Sequence, residues 1–112
     1  MKIIVCGGRD FDDHEHLIAV LDKVHAKKKI TMIIEGGCKG ADSHAAVWAE
    51  SNKIGRVTCF PNWGNLGNSA GPARNKLMLD LGVDGVIAFD GGKGTQNMIS
   101  QAKNRSIKVM RA

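Results

Sequence analysis

The stretch that decides the fold is KIIVCGGRD at residues 2–10, in which a largely apolar run leads straight into a Gly-Gly pair. The same arrangement returns at residues 85–93 as GVIAFDGGK. Continuous apolar runs are typical of strands that are buried on both faces of a parallel sheet. Because a glycine-rich turn commonly joins such a strand to the next helix, these two stretches predict an α/β fold.

Apolar runs of this kind recur along the chain. Five predicted strands lie at residues 2–6, 31–35, 56–60, 85–89 and 107–110. Between them apolar residues take helical spacing, and Asp13 is placed to cap the first of four predicted helices. The alternation predicts a Rossmann-like, doubly wound parallel sheet of about five strands with helices on both faces. Since 112 residues fit one domain, residues 1–112 are expected to form a single domain.

The helical spacing also predicts which side chains face the sheet. They are Leu17, Val20, Leu21 and Val24 in the first helix, Ala45, Trp48 and Ala49 in the second, Ala73, Leu77 and Leu81 in the third, and Met98, Ile99 and Ala102 in the fourth. The third helix is expected to open at Gly71-Pro72, and Thr95 is expected to cap the fourth. Residues 61–70, which are rich in Asn and Gly, are predicted to be a long loop.

The composition is that of a soluble protein, with 43% hydrophobic and 24% charged residues. No stretch approaches the roughly 18 apolar residues of a membrane span, and the first apolar run is too short for a signal peptide. Cys6, Cys38 and Cys59 form no CxxC pair and are interpreted as free thiols in a reducing compartment. Cys6 and Cys59 are expected in the core, and the protein is expected to be cytoplasmic, without a membrane partner.

Glycines gather in the segments that follow the predicted strands. These segments begin at Gly7-Gly8, Gly36-Gly37, Pro61 and Asp90-Gly91-Gly92. The carboxyl ends of parallel strands lie along one edge of a sheet, and open α/β sheets bind their ligands there. A single glycine-rich segment is also what a tight strand-to-helix turn needs, but four at one edge favour a ligand site over turn geometry alone.

The chemistry of this edge suits an anion. Each segment leads to a helix N-terminus, whose free N–H groups and dipole favour negative charge. Arg9, Lys39, Arg74 and Lys93 can reach the same edge, and arginine and lysine both bind phosphate. The formal net charge of +5 agrees with an anionic partner. Part of that charge is the block Lys27–Lys28–Lys29, which we interpret as a solvated helix end.

Several better-known sites are not indicated. The chain lacks the Walker G-x-x-x-x-G-K-[ST] motif, and Gly7-Gly8-Arg9 does not extend to G-x-G-x-x-G. Glu35 is placed to hold a ribose hydroxyl, but a solvated strand end is favoured. His14 and His16 diverge around a helix axis, so no metal site is predicted. No cofactor is predicted. His44 is expected to be a partly exposed residue of a first helical turn.

The motifs taken together resemble one protein family. VCGGRD, GGCKGAD, FPNW, AGPARN and FDGGKGT follow one another in order along nearly the whole chain. This set resembles the YspA-like, cpYpsA-related branch of the SLOG superfamily, which also includes the lonely-guy phosphoribohydrolases and relatives of DprA. The resemblance implies a Rossmann-like fold and a pocket for a nucleotide or a nucleotide-derived ligand.

The phosphoribohydrolase motif P-G-G-x-G-T-x-x-E is only partly kept. Its glycines and threonine match Gly91, Gly92, Gly94 and Thr95, whereas Asp90 takes the proline position and Met98 the glutamate position. The resemblance also implies that Arg74 carries over the family arginine. The matching glycines and threonine imply that the phosphate half of that site is kept. Methionine can neither activate water nor stabilise an oxocarbenium-like centre, so the resemblance implies that the known hydrolytic half is lost.

The predicted ligand site is built from residues of all four segments. Its phosphate-binding members are Gly7, Gly8, Arg9, Gly36, Gly37, Lys39, Gly40, Arg74, Asn75, Gly91, Gly92, Gly94 and Thr95. Trp63 either stacks on a base or anchors its loop. Asp10 and Asp42 are the candidate catalytic carboxylates; like Asp90, each could equally act as a helix cap or first-turn acid.

Three functions follow from this site. The leading prediction is a sensor or sequestering domain that binds a phosphate-bearing, nucleotide-derived small molecule. The second is a hydrolase of such a ligand. The third is a nucleic-acid-binding module, which the positive charge suggests, although no recognition helix is evident and aromatic residues make up only 4% of the chain. A homodimer is expected, because a small open sheet has two free edges.

Overall fold

The computed structural model describes residues 1–112, apart from the side chains of Asn65 and Asn68. Its strands are β1 Lys2–Cys6, β2 Met32–Glu35, β3 Gly55–Thr58, β4 Gly85–Ala88 and β5 Val109–Arg111. Its helices are α1 His14–Lys27, α2 Ala41–Ser51, the short α3 Trp63–Leu66, α4 Ala70–Asp80 and α5 Lys93–Asn104, and a 3-10 turn spans Gly67–Ser69. All strand pairs are parallel, in the order β3-β2-β1-β4-β5. The predicted Rossmann-like sheet is therefore confirmed.

Strand β1 lies at the centre of the sheet. Ile3 pairs with Ile33 of β2 on one side and with Gly85 of β4 on the other. The chain leaves β1 towards β2 and leaves β4 towards β5, so the connections run in opposite directions from the β1–β4 pair. This is the topological switch point, where the diverging connections open a crevice at the carboxyl ends of the strands.

The helices cover both faces of the sheet. On one face, α1 and α2 bury Leu17, Leu21 and Trp48 against sheet residues such as Ile33. On the other, α4 and α5 bury Met78, Leu79, Met98 and Ala102 against Ile4, Ile34 and Val86. Full burial of one such aliphatic side chain is worth about 1.5–3 kcal/mol, so these two layers supply the main driving force for the fold.

The structure bears out some predicted helix details. The Asp13 side chain caps α1, because its Oδ1 accepts the N–H of His16 at 3.1 Å. Thr95, however, is not the cap of α5, which begins two residues earlier with Gly92 at the cap position. Thr95 instead lies buried in the first turn of that helix.

The predicted inner face of α4 is wrong. Leu77 and Leu81 are 61% and 46% exposed, and α4 begins at Ala70 rather than at Gly71-Pro72. The buried face consists of Ala70, Gly71, Asn75, Met78 and Leu79. The polar Asn75 at the centre of this face interrupts the helical spacing of its apolar residues. The spacing of Leu77 and Leu81 therefore predicts the wrong face as the buried one.

The segment 61–70 is not the long loop that its composition predicts, since it contains α3 and the 3-10 turn. Cys6 and Cys59, expected in the core, are only partly buried at the margin of the α4–α5 layer. In the part of the chain described, no helix combines the length and the apolar character that crossing a bilayer requires.

Candidate functional site

A cleft of about 350 Å³ opens at the carboxyl ends of β1 and β4, where the topology places the crevice. All the elements around it contribute to its walls. The lining residues are Cys6, Gly7, Gly8, Arg9, Cys38, Asp42, Trp63, Gly71, Arg74, Asn75, Gly92, Lys93, Gly94 and Thr95. The cleft combines cationic side chains, helix N-termini and a half-exposed aromatic ring in a single concave site.

The loops that follow β1 and β4 are tied together at the floor of the cleft. The N–H of Gly8 donates to the carbonyl oxygen of Asp90 at 2.7 Å, and the Gly8 carbonyl accepts the N–H of Phe11 at 3.2 Å. Gly40 packs directly on this turn with φ of 78°, and an added Cβ would run into the Gly8 carbonyl. The glycines at these positions allow three backbone segments to approach closely.

Arg74 extends from α4 across the β2–α2 loop. Its Nη1 donates to the carbonyl oxygen of Gly36 at 2.7 Å and its Nε donates to Oδ1 of Asn75 at 2.9 Å. Nη2 takes part in neither bond, and Arg74 lines the cleft. A Cβ at Gly36 would overlap the guanidinium in this position, so glycine at residue 36 lets Arg74 approach the backbone. The guanidinium is thus held in a fixed orientation at the wall of the cleft.

Asn75 connects Arg74 to the start of α5. Besides accepting from Arg74, the buried Asn75 amide donates to the carbonyl oxygen of Gly94 at 3.2 Å and to Oδ1 of Asn97 at 3.1 Å. Its polar atoms are therefore used within the protein. Asn75 thereby sets the position of the Arg74 guanidinium relative to the first turn of α5.

Asp42 is a buried carboxylate that lines the same cleft and is 5% exposed. Its Oδ2 accepts the N–H groups of Gly36 and Cys38, each at 3.2 Å, and Oδ1 takes part in neither bond. Burial raises the pKa of Asp42 to about 6, although the Cys38 N–H and the Arg74 charge act in the opposite direction. A carboxyl group with such a pKa can both give and take a proton near neutral pH.

Glu35 is not the solvated strand end that was favoured from its position. It is 2% exposed, and its carboxylate accepts the N–H of Gly37 at 2.7 Å and the hydroxyl of Thr58. Glu35 and Asp42 together bind the N–H groups of residues 36, 37 and 38. The signal for this arrangement is an acidic residue on each side of a Gly-Gly turn.

The first turn of α5 offers its backbone to the cleft. The first helical hydrogen bond runs from Gln96 N–H to the Gly92 carbonyl at 3.1 Å, so the N–H groups before Gln96 precede the helical ladder. A Cβ added to Gly92 or Gly94 would meet no atom within 4 Å, and Gly92 has an ordinary φ of −97°. The space around these two positions therefore does not require glycine.

The structure brings together many, but not all, of the predicted site residues. Gly7, Gly8, Arg9, Asp42, Trp63, Arg74, Asn75, Gly92, Gly94 and Thr95 line the cleft, whereas Gly36, Gly37, Lys39, Gly40, Gly91 and Asp10 do not. Lys39 and Asp10 lie in an adjoining hollow of about 490 Å³, together with Phe60, and Arg9 and Trp63 line both spaces. Trp63 is 51% exposed between them.

Some lining residues had no role in the sequence-based site. Cys6 lies at the end of β1, and burial raises the pKa of its thiol to about 12, which keeps it neutral. Cys38 and Gly71 also line the cleft. The place of Cys6 in the sequence could have predicted its location in the cleft, because the last residue of a central strand borders the carboxyl edge of the sheet.

Met98 takes no part in the cleft. It is 1% exposed and packs in the apolar cluster that contains Met78, Leu79 and Val86. The position at which the phosphoribohydrolase motif has its glutamate is therefore filled by a core side chain. The cluster in which Met98 packs consists of hydrophobic residues, so it brings no carboxylate to this position.

The described residues contain no group of three or more His, Cys, Asp and Glu side chains that could hold a metal ion. His14 and His44 contact each other with 3.0 Å between their Nδ1 atoms. This contact joins the starts of α1 and α2 near the carboxyl edge of the sheet. Phe89 forms an edge-on contact with His16.

Comparison with known proteins agrees with the sequence motifs. The chain is 27% identical over 117 residues to the Gene 61 protein of Mycobacterium phage D29, with 97% of this chain and 94% of the phage protein covered. No solved structure matches the chain at a significant level. The sequence model of the YspA, cpYpsA-related SLOG family matches residues 1–65, which run from β1 into α3. The chain belongs to the YspA, cpYpsA-related SLOG family.

Proposed function

We propose that the cleft binds a phosphate-bearing nucleotide or nucleotide-derived ligand and that the protein acts as a sensor or sequestering domain. The observation that carries the proposal is the meeting of two anion-binding features in one cleft. These features are the glycine-containing first turn of α5 and the fixed guanidinium of Arg74. Membership of the SLOG family supports a nucleotide-related ligand.

The phosphate would lie between the first turn of α5 and Arg74. The N–H groups of Lys93, Gly94 and Thr95 precede the helical ladder, and the helix dipole favours negative charge there. Nη2 of Arg74 and the exposed Arg9 and Lys93 side chains supply positive charge. Hydrogen bonds to charged groups contribute about 1.5–3 kcal/mol each, which supports phosphate binding in this arrangement.

The base would lie against Trp63, whose ring is half exposed at the junction of the cleft with the adjoining hollow. Phe60, which is 73% exposed, lines the same hollow. Stacking of a base on an aromatic ring contributes about 1–3 kcal/mol. In this arrangement Gly7 and Gly8 form the floor.

Gly36, Gly37, Gly40 and Gly91 would then shape the walls rather than donate to the phosphate. The N–H groups of Gly36 and Gly37 already donate to Asp42 and Glu35. Lys39 would act at longer range through its charge.

The test is calorimetric titration with AMP, ADP-ribose, NAD and cyclic dinucleotides. At least one should bind, and Arg74→Ala should weaken it tenfold or more, which corresponds to about 1.4 kcal/mol. Arg56→Ala is the matched control, because Arg56 is exposed on β3 away from the cleft lining. If none of these compounds binds the folded wild type, or if both variants bind equally, the proposal fails.

A second candidate function is hydrolysis of the same ligand, and the position of Asp42 favours it. Asp42 lines the cleft beside Arg74 and has a pKa of about 6, as a general acid or base at neutral pH requires. Asp10, the other candidate, is exposed and does not line this cleft. Product formation from a nucleoside monophosphate should then be abolished in Asp42→Asn and kept in Asp10→Asn. Wild type that binds without turnover would exclude hydrolysis of that ligand.

A further inference from the structure

One part of the sheet is left uncovered on the face that carries α1 and α2. These helices pack over β1, β2 and β4, whereas α4 and α5 lie on the opposite face. Met110 of β5 pairs in register with the buried Ile87 but is itself 47% exposed. Between α1 and β5 the surface forms two adjoining hollows of about 260 and 480 Å³, which share Val24, Lys27 and Met110. We call this surface the α1–β5 groove.

The groove has an apolar floor and a cationic rim. Val20, Val24, Ile3 and Met110 contribute apolar surface. The cationic side chains that line it are Lys23, Lys27, Lys28, Lys108 and Arg111, and one carboxylate, that of Asp84, lies among them. The side chains lining the groove thus carry a formal charge of +4, most of the +5 of the whole chain.

These charges are not neutralised by the ion pairs described in the molecule. Those pairs join Asp80 to Lys76 and to Arg105, which do not line the groove. The Asp84 carboxylate accepts the backbone N–H of Lys2 at 2.7 Å. A cationic rim around apolar side chains complements a partner that is both apolar and negatively charged.

We infer that the α1–β5 groove binds an acidic amphipathic helix of a protein partner. Its apolar stripe would cover Val24 and Met110, and its flanking carboxylates would meet the lysines of the rim. Helix α1, which forms one wall, has 14 residues and so extends about 21 Å. A partner helix of three to four turns alongside it would complete the helical layer on this face.

Charge argues against one other occupant and the apolar floor against another. A second copy of the chain would place one +4 surface against another, which opposes association. A nucleic acid would match the rim but would leave the apolar floor without a complement, since phosphate contacts dominate its binding. An acidic amphipathic helix satisfies both the rim and the floor.

The probe is a fluorescein-labelled 15-residue helical peptide. Leu recurs along it with the spacing i, i+3, i+4, i+7, which forms one apolar stripe, and Glu takes most other positions. Fluorescence anisotropy should detect micromolar binding that weakens with added salt. Met110→Glu and the double variant Lys27→Glu/Lys108→Glu should each weaken it tenfold or more. Leu77→Glu on α4 and Arg56→Glu on β3 are the matched controls, because both residues are exposed outside the groove.

Four results would overturn the inference. They are no binding of the peptide, equal binding of a scrambled peptide of the same composition, equal binding of a version with Lys in place of Glu, and equal effects of Met110→Glu and Leu77→Glu. Single-stranded DNA that binds independently of Met110 would assign the rim to nucleic acid instead. Self-association of the wild type that Met110→Glu abolishes, measured by sedimentation, would assign the groove to a second copy. The groove and the cleft share no lining residue, so either proposal can fail alone.

Discussion

At the scale of single residues, the backbone of Gly36 connects the two side chains on which the candidate site depends. Its carbonyl accepts from Arg74 and its N–H donates to Asp42. A Cβ at this position would overlap the Arg74 guanidinium, so any other residue would displace that side chain. The sequence indicates the glycine and both charged residues, but not this contact, since Arg74 lies 38 residues after Gly36 and reaches it only when β2, α2 and α4 are in place.

The raised pKa of Asp42 makes the stability of the protein depend on pH. The folded state favours the protonated carboxyl, with a pKa of about 6 against 3.8 for an ordinary Asp. The resulting penalty is absent below pH 3.8, grows between pH 3.8 and 6, and is complete above pH 6. At 1.36 kcal/mol for each pKa unit, this group should lower the free energy of unfolding by about 2–3 kcal/mol over that range as pH rises.

Urea denaturation of wild type and Asp42→Asn between pH 4 and 7 measures this contribution. The difference in unfolding free energy between the two proteins should change with pH, and most steeply near pH 5. Asp10→Asn, at an exposed position, serves as the control and should follow the wild type more closely. A pH-independent difference between wild type and Asp42→Asn would mean that the carboxyl titrates normally.

Gly94 tests whether the first turn of α5 meets a ligand. Since a Cβ there contacts nothing in the protein, Gly94→Ala should stabilise the helix by up to about 1 kcal/mol. The same methyl group would occupy space beside the proposed phosphate, so affinity for the nucleotide should fall tenfold or more. Calorimetry and urea denaturation measure the two effects, with the exposed Ser100→Ala of α5 as the control. Stabilisation with unchanged affinity would remove Gly94 from the ligand site.

At the scale of elements, the strands were easier to predict than the helix faces. A strand buried on both sides is a continuous apolar run, and the predicted run at 2–6 coincides with β1. The buried stripe of α4 instead contains Ala, Gly and Asn, because it packs tightly and Asn75 serves the site. The charged and glycine-rich connections could likewise be predicted, whereas the buried positions of Glu35 and Asp42 depend on tertiary contacts.

Substitutions in α4 distinguish its two faces. Met78 is 1% exposed within the α4–α5 layer, and truncation of such a core side chain costs about 2–5 kcal/mol. Leu77 is 61% exposed, so its truncation should change stability by less than about 0.5 kcal/mol. The free energies of unfolding of Met78→Ala and Leu77→Ala give the comparison. Equal costs, or a larger cost at Leu77, would contradict the observed orientation of α4.

At the scale of the whole molecule, charge and shape separate two surfaces. The cleft lies at the carboxyl ends of β1 and β4, and the α1–β5 groove lies beside the outer strand β5. Strand β5 is short, and Lys108 and Arg111 lie at its ends. Short, cationic edge strands oppose edge-to-edge pairing. Pairing through β5 is thus disfavoured, and β3 is the other free edge of the sheet. The homodimer stays a prediction, which sedimentation will test.

The two surfaces should bind independently. They share no lining residue, and at physiological ionic strength charges are screened over about 8 Å. Lys27→Glu/Lys108→Glu should thus leave nucleotide affinity within about twofold of the wild type. Conversely, Arg74→Ala should leave binding of the acidic peptide unchanged, because Arg74 is held on the far side of the sheet by α4. Measuring both affinities in both variants at one salt concentration completes a cycle. A loss of more than threefold at the unmutated surface would show that the two surfaces are not independent.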